Sequence, residues 1–242
     1  MLRRLSFAVC IVAALAACPK PPAPAFTPPS DTVFIPIEDR QWDDEAPKEG
    51  WCGETSIQMA ALHFGQWVPQ AEANRLGHPK TPDLWEYDVP VAMDALGLRY
   101  ETGPRDQGIA KFVEWVVASL RQGRPVIVGF KNPPSTHPEW EVDHLVLAVG
   151  SSPAGLTVNT NMEDGQALLK WDGLFTADGS RSLSLVNRQG TTWGYAVKGF
   201  DERRQRGRVK VEGEETLVLE AADGTTLEVQ RTGAVVKLPE TR

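Results

Sequence analysis

"KEGWCGETSIQMAALHFGQW", residues 48–67, decides how the chain folds. Ile57, Ala60, Ala61 and Phe64 fall at i, i+3, i+4 and i+7, the stripe of an amphipathic helix running from Cys52 to Phe64. Met59 and Leu62 widen that stripe until little of the helix is polar, so it must be mostly buried. Gly65 supplies its stop. Cys52 therefore opens a covered helix, with Gly50 before it and Gly53 after it to let other groups approach the backbone. A cysteine in that place is either core packing or a nucleophile.

Around this helix the first half of the chain reads as helical. "QAEANRL" (70–76) predicts a short surface helix ending at Gly77. A third helix is expected from near Pro90 to Leu96, with Asp88 as its cap and Gly97 beyond it. A fourth puts Ile109, Phe112, Val113, Val116, Val117 and Leu120 on one face and closes at Gly123 and Pro125. The period then changes to that of strands: 125–130, 144–150, 155–161, 167–171 and 193–200 are apolar, β-branched runs bounded by turn residues. A helical half followed by an antiparallel half predicts an α+β fold over residues 32–206. Residues 207–242 alternate in short segments, with Asp223-Gly224 as a hairpin turn, and predict a small C-terminal β-meander on the main sheet or beside it.

The chain start is of another kind. Arg3 and Arg4 precede an apolar run, Leu5 to Ala17, too short to span a bilayer as a mature helix. The end, Leu15-Ala16-Ala17-Cys18, resembles a bacterial lipoprotein signal, which implies removal of residues 1–17 and lipidation of Cys18. Ordinary secretion with cleavage after Ala17 is the alternative. "PKPPAPAFTPPSD" (19–31) reads as an extended, semi-rigid spacer. An exported chain, held to a bacterial envelope membrane by lipid alone, is the expectation. Without the signal the formal charge is 23 − 32 = −9, and an acidic chain with no basic stripe argues against nucleic acid as a partner.

Of three cysteines, Cys10 leaves with the signal and Cys18 would carry lipid, so Cys52 has no partner for an intramolecular disulfide. In an oxidising compartment such a thiol is either buried and inert or kept for its reactivity. A nucleophilic thiol needs a favoured thiolate, a histidine to take and return the proton, a polar group to orient that ring, and donors for the oxyanion. A helix start helps the thiolate, and the Cys52 N–H is a natural oxyanion donor. His63 lies 11 residues along the same helix, about 16 Å away at 1.5 Å per residue, and cannot reach. His78 and His137 sit near prolines and read as solvated. His144 opens an apolar strand, where it either faces a cleft or is a half-buried, satisfied strand residue.

"GWCGETSIQMAALHFGQ" resembles the nucleophile helix of papain-like cysteine peptidases, in particular the compact bacterial branch that includes double-glycine leader (bacteriocin-processing) peptidases. Gly65, "VPQAEANRLG" (68–77) and "HLVLAVG" (144–150) fit that branch in order, across roughly residues 33–171. The separation, 144 − 52 = 92, is shorter than in papain. The resemblance implies Cys52 as nucleophile and His144 as general base, then acid. Asn159 or Asn161 would accept from the other ring nitrogen, Asn159 being preferred because it ends the "LTV" run. Gln41 would be an oxyanion donor, against a plain loop amide. Trp51, Gly53, Glu54 and Asp143 would border the substrate cleft, and Trp85, Trp140 and Trp193 either join it or fill the core.

Two positions depart from the branch: Glu54, whose charge would raise the thiol pKa, and Asn-Thr-Asn in place of Asp-Pro after the histidine strand. The implied activity is peptide-bond hydrolysis through a thioester, with a peptide or protein substrate and no cofactor. A non-catalytic peptide-binding lipoprotein on the same fold is the alternative. A peptidoglycan endopeptidase is weighed below both, since Cys-Ser-Gly is missing, and a metal enzyme lower still, for want of H-E-x-x-H or paired cysteines.

Overall fold

The computed structural model describes residues 26–43, 46–47, 50–78, 82–105, 107–131, 143–162, 165–171 and 192–201, and the strands of a C-terminal sheet. The leader with Cys18, most of the spacer, His137, Trp140 and the Asp223-Gly224 turn lie outside the described residues.

The α+β expectation holds: among the described residues, four helices precede or flank an antiparallel sheet. They are α1 (Cys52–His63), α2 (Gln70–Gly77), α3 (Asp88–Leu96) and α4 (Ile109–Arg121). Asp88 is the first residue of α3 rather than its cap; its Oδ2 accepts the Trp85 N–H at 3.0 Å, closing the turn in front of the helix. Gly97 ends α3 in the left-handed region, as expected of a glycine there.

The strands are β1 (Val33–Phe34), β2 (Leu98–Thr102), β3 (Val126–Lys131), β4 (Asp143–Ser152), β5 (Gly155–Asn159), β6 (Gln166–Lys170) and β7 (Gly194–Phe200). They pair in the order β2-β7-β3-β4-β5-β6, with β1 lying against the far end of β4. The C-terminal strands β8 (Arg208–Glu212), β9 (Thr216–Glu220), β10 (Thr226–Gln230) and β11 (Val235–Lys237) form the expected meander, as a separate four-stranded sheet.

Leu145 of β4 points toward α1: a Cβ added at Gly53 would lie 3.2 Å from its Cδ2. Because side chains alternate along a strand, Val146 and its partner Val128 point the other way. There Phe112 of α4 meets Gly194. The sheet is thus covered by α1 on one face and by α4 on the other. Ile57, Met59, Phe112, Ile127 and Leu147 are among the fully buried side chains that join these layers.

Candidate active site around Cys52

The head of α1 is fixed from three directions. Gly50 adopts φ +84°, and the Trp42 ring lies flat over its Cα, so close that an added Cβ would come within 2.4 Å of ring atoms. Trp51 donates its indole N–H to Pro82 O at 2.7 Å. Gly53 packs under Leu84 as well as Leu145, leaving 3.2 Å for a Cβ on either side. The two glycines therefore do what their positions suggested, letting an aromatic ring and two leucines close on the backbone beside the sulfur. All residues from Cys52 to Ala61 are buried.

Strand β5 stops at Asn159, opposite Leu147. The neighbouring stretch of β4 is therefore left without a strand partner on that side, and the N–H and C=O of Leu145 need other partners. The Leu145 N–H donates to the Cys52 sulfur. The Leu145 carbonyl accepts from Asn161 Nδ2 at 2.9 Å. His144, the next residue, shares its Nε2 with the carbonyl of Thr160 at 2.8 Å. A carbonyl only accepts, so Nε2 carries the proton and Nδ1 is the basic nitrogen. The Cys52 sulfur and the His144 ring are thus each held by a backbone group close to where β5 ends, the Leu145 N–H and the Thr160 carbonyl.

Asn159 and Asn161 do not project side by side from one strand. Asn161 lies past the end of β5 with φ +51°, a left-handed conformation that asparagine tolerates better than most residues. The Asn159 Oδ1 accepts from Gln166 Nε2 at 2.8 Å, and its Nδ2 donates to Ile37 O at 3.0 Å. The Asn161 Oδ1 accepts from Trp42 Nε1 at 3.0 Å. Its Nδ2 also reaches Cys52 O and Ser56 Oγ, both at 3.4 Å, besides Leu145 O. Asp39 Oδ1 accepts the Asn161 N–H at 3.0 Å. Asn161 thus ties the head of α1 to β4, while the carbonyl at position 160 holds the imidazole. A backbone carbonyl bears no residue signature, and the family resemblance implied instead the two asparagines that flank it.

Gln41 Nε2 donates to Met162 O at 2.6 Å, on the far side of the same turn, and the Gln41 carbonyl accepts from Gln70 Nε2 at 3.0 Å. Trp51 and Trp193 are buried, whereas Trp85 is half exposed. His78 is less free than its surroundings suggested: Nδ1 lies 3.5 Å from Asp88 Oδ2. His63 pairs with Gly123 O. Of Asp143 only the backbone is described, paired with Lys131.

The electrostatics oppose a resting thiolate. Burial, then the like charges of Glu54 and Asp83, push the Cys52 thiol up to about 12, against smaller help from the Leu145 and Gly53 N–H groups. Compared with an ordinary thiol near 9.0, forming the anion here costs about 4 kcal/mol more. The helix start and its amides do not overcome this, so the thiol rests protonated. Glu54 is itself fully buried. Its Oε1 accepts from Asn74 Nδ2 at 2.8 Å and Leu84 N at 2.9 Å, while Oε2 has no hydrogen-bond partner among the described residues. Burial raises its carboxyl to about 7 despite those bonds. Burial also raises Asp39 to about 6, partly offset by the Asn161 N–H.

No protein-family model and no curated protein matches the sequence. Among solved structures, the chain is similar to a protein from Bacillus anthracis assigned as a C39-like peptidase. The identity is 13%, the match covers 71% of this chain and 100% of that one, and the TM-score is 0.47. It is also similar to the peptidase domain of Streptococcus ComA, a bifunctional ABC transporter of a quorum-sensing pathway. There the identity is 14%, the coverage 67% and 98%, and the TM-score 0.43.

Proposed function

We propose that the protein is an exported cysteine peptidase, tethered to a bacterial membrane through a lipid on Cys18, that hydrolyses peptide bonds with Cys52 and His144. What supports this reading is a pair of backbone contacts made by consecutive residues of β4, Leu145 and His144. The Cys52 sulfur accepts the N–H of Leu145, and the His144 ring is locked with a basic Nδ1.

In the proposed cycle Nδ1 takes the thiol proton as sulfur attacks the carbonyl carbon of the scissile amide. The thiol of this site rests protonated, so proton transfer accompanies attack instead of preceding it. The negative oxygen that forms is met by the Cys52 N–H, free at the helix start. Gln41 joins it once its carboxamide turns from Met162. The C–N bond breaks, the amine leaves with the proton from His144, and the acyl group stays on sulfur as a thioester. Water, losing a proton to Nδ1, then releases the acid and restores the thiol. Thr160 O stabilises the imidazolium in both half-reactions, and Asn161 keeps sulfur and ring in register.

A second reading, a peptide-binding lipoprotein without turnover, is favoured by one observation: the carboxylate of Glu54 beside a thiol already raised by burial. A peptide-cleavage screen of wild type against Cys52→Ala, with trapping by an epoxide thiol inhibitor, separates the two. Cleavage lost in the variant and an adduct on Cys52 support the peptidase. No adduct and no cleavage leave the binding protein in its place. Metabolic labelling with a radioactive fatty acid, lost in Cys18→Ser, tests the anchor.

A further inference from the structure

The second half of the proline-rich spacer is fastened to the domain. Phe26 packs its ring against Trp171, with centroids 5.1 Å apart. Trp171 follows β6 and donates its indole N–H to Ser152 O, at the end of β4, at 2.9 Å. Asp31 pairs with Arg121 of α4, β1 pairs with β4, and the Ile35 N–H donates to Val149 O at 2.7 Å. The stretch left between Cys18 and the domain is therefore 26 − 18 = 8 residues. Fully extended, it spans no more than about 28 Å. A lipid on Cys18 thus holds the β4–β5 hairpin end of the sheet within that distance of a bilayer.

At this same end, Phe34, Gly150, Thr157 and Leu168 stand opposite one another across β1, β4, β5 and β6. Residues paired in this way share a face. It is the α1 face, because Asn159, two residues from Thr157, reaches Met59 of α1. The helix leaves this row uncovered: Phe34 is 53% and Leu168 50% exposed. A Cβ on Gly150 would lie 3.1 Å from Phe34 Cδ2 and 3.3 Å from Thr157 Cβ, so the Phe34 ring lies over the glycine toward Thr157. The result is an apolar strip about 14 Å long, three strand spacings. Lys170, two residues past Leu168 and so on the same face, is exposed at its rim.

Fixed apolar side chains with a lysine beside them suit a bilayer interface, where the rings enter the acyl boundary and the ammonium stays with the headgroups. Resting on the lipid anchor read at Cys18, we propose that this strip, Phe34 and Leu168 with Lys170 at its rim, docks on the bilayer that holds the lipid. The occupant is a phospholipid surface because the short tether delivers one to this end of the sheet. Tethering also raises the local concentration of that surface, so that few side chains suffice. Lipid is then not the sole membrane contact, which departs from the sequence expectation. His144 lies six residues along β4 from Gly150, about 20 Å away. Docking therefore holds the Cys52 site at a set distance from the membrane.

The test uses the full chain produced in a bacterial host, purified from its membranes and reconstituted into phosphatidylcholine vesicles. Intact mass first reports whether Cys18 carries lipid. The photoreactive residue p-benzoylphenylalanine is placed at Leu168 or, as a control, at Lys111 of α4 on the opposite face of the sheet. After irradiation, mass spectrometry counts phospholipid adducts. The expected yield at position 168 exceeds that at 111 by about tenfold or more, and Phe34→Ser lowers it by about threefold or more. Phe34→Trp should keep the yield. Phe34 is exposed, so an unchanged melting temperature confirms that both variants are folded. Equal yields at the two positions, a yield indifferent to Phe34→Ser, or adducts to a second copy of the chain instead of lipid overturn the proposal. The two readings fail separately. A Cys18 without lipid removes the anchor and the docking with it, whereas a lipidated chain with equal yields removes the docking and leaves the anchor.

Discussion

Replacing Glu54 with glutamine removes a charge from beside Cys52 and little else. The Gln Oε1 can still accept from Asn74 and Leu84, the two bonds that hold the native carboxylate. Side chains two positions apart on a helix lie about 7 Å apart, and at an effective dielectric of about 20 their charges interact by about 2.4 kcal/mol. That amounts to roughly 1.7 pKa units on the thiol. The thiolate population at a given pH rises about fiftyfold, and the lower basicity of the sulfur takes back about half of that on a logarithmic scale, leaving about a sevenfold gain. The gain should itself depend on pH, because the native carboxyl titrates at about 7. The assay is the iodoacetamide alkylation rate of Cys52, followed by intact mass. Glu54→Gln should outpace wild type about five- to tenfold at pH 8.5 and converge with it near pH 5.5, where Glu54 is already neutral. A ratio that stays flat across that range, or falls below one, refutes the electrostatic role given to Glu54.

Glu54 also predicts how stability varies with pH. Its carboxyl is raised in the fold from 4.5 to about 7, so between those values the folded state binds more protons than the unfolded one. Stability should fall as pH rises through that window, by roughly 2.5 × 1.36, or about 3 kcal/mol. Asp39, raised to about 6, adds in the same direction. Urea unfolding across pH 4.5–7.5 reads the slope, and Glu54→Gln should flatten it. Asn161→Asp keeps the acceptor for Trp42 but loses the donor to Leu145 O and Cys52 O. It should cost about 2–3 kcal/mol by the same assay and slow Cys52 chemistry beyond what the lost stability explains. Gly50→Ala forces a Cβ into the Trp42 ring at a left-handed backbone position. A loss of 2 kcal/mol or more is expected, on the order of the overpacking and left-handed costs combined; a melting temperature equal to wild type would contradict it.

Helix α1 was legible because its apolar positions recur with helical spacing between two glycine signals, and its complete burial follows from how little of it is polar. Five strands of the main sheet, β3 to β7, were legible from their apolar, β-branched runs. β2, "LRYET", was not: it is charged at alternate positions and exposed over most of its length, and only pairing with β7 makes it a strand. β1 has two residues and exists through its contact with β4. At the site, Cys52 stood out as a lone thiol at a helix start, and His144 was singled out by the family resemblance. The groups they bond to were not legible: the Leu145 N–H, the Thr160 carbonyl and the left-handed turn at Asn161 are main-chain features, which leave no mark on residue identity. Asp88 misled for a related reason, since its carboxylate serves the turn before α3 from inside the helix.

The dependence of Cys52 on His144 is the most direct measure of the chemistry. Wild type and His144→Ala, both verified as folded, are incubated with an epoxide thiol inhibitor at pH 7, and adduct formation on Cys52 is timed by mass spectrometry. A positioned general base predicts labelling at least about a hundredfold slower in His144→Ala. Equal rates in the two proteins would mean that the imidazole does not serve the sulfur, and the peptidase assignment would not stand.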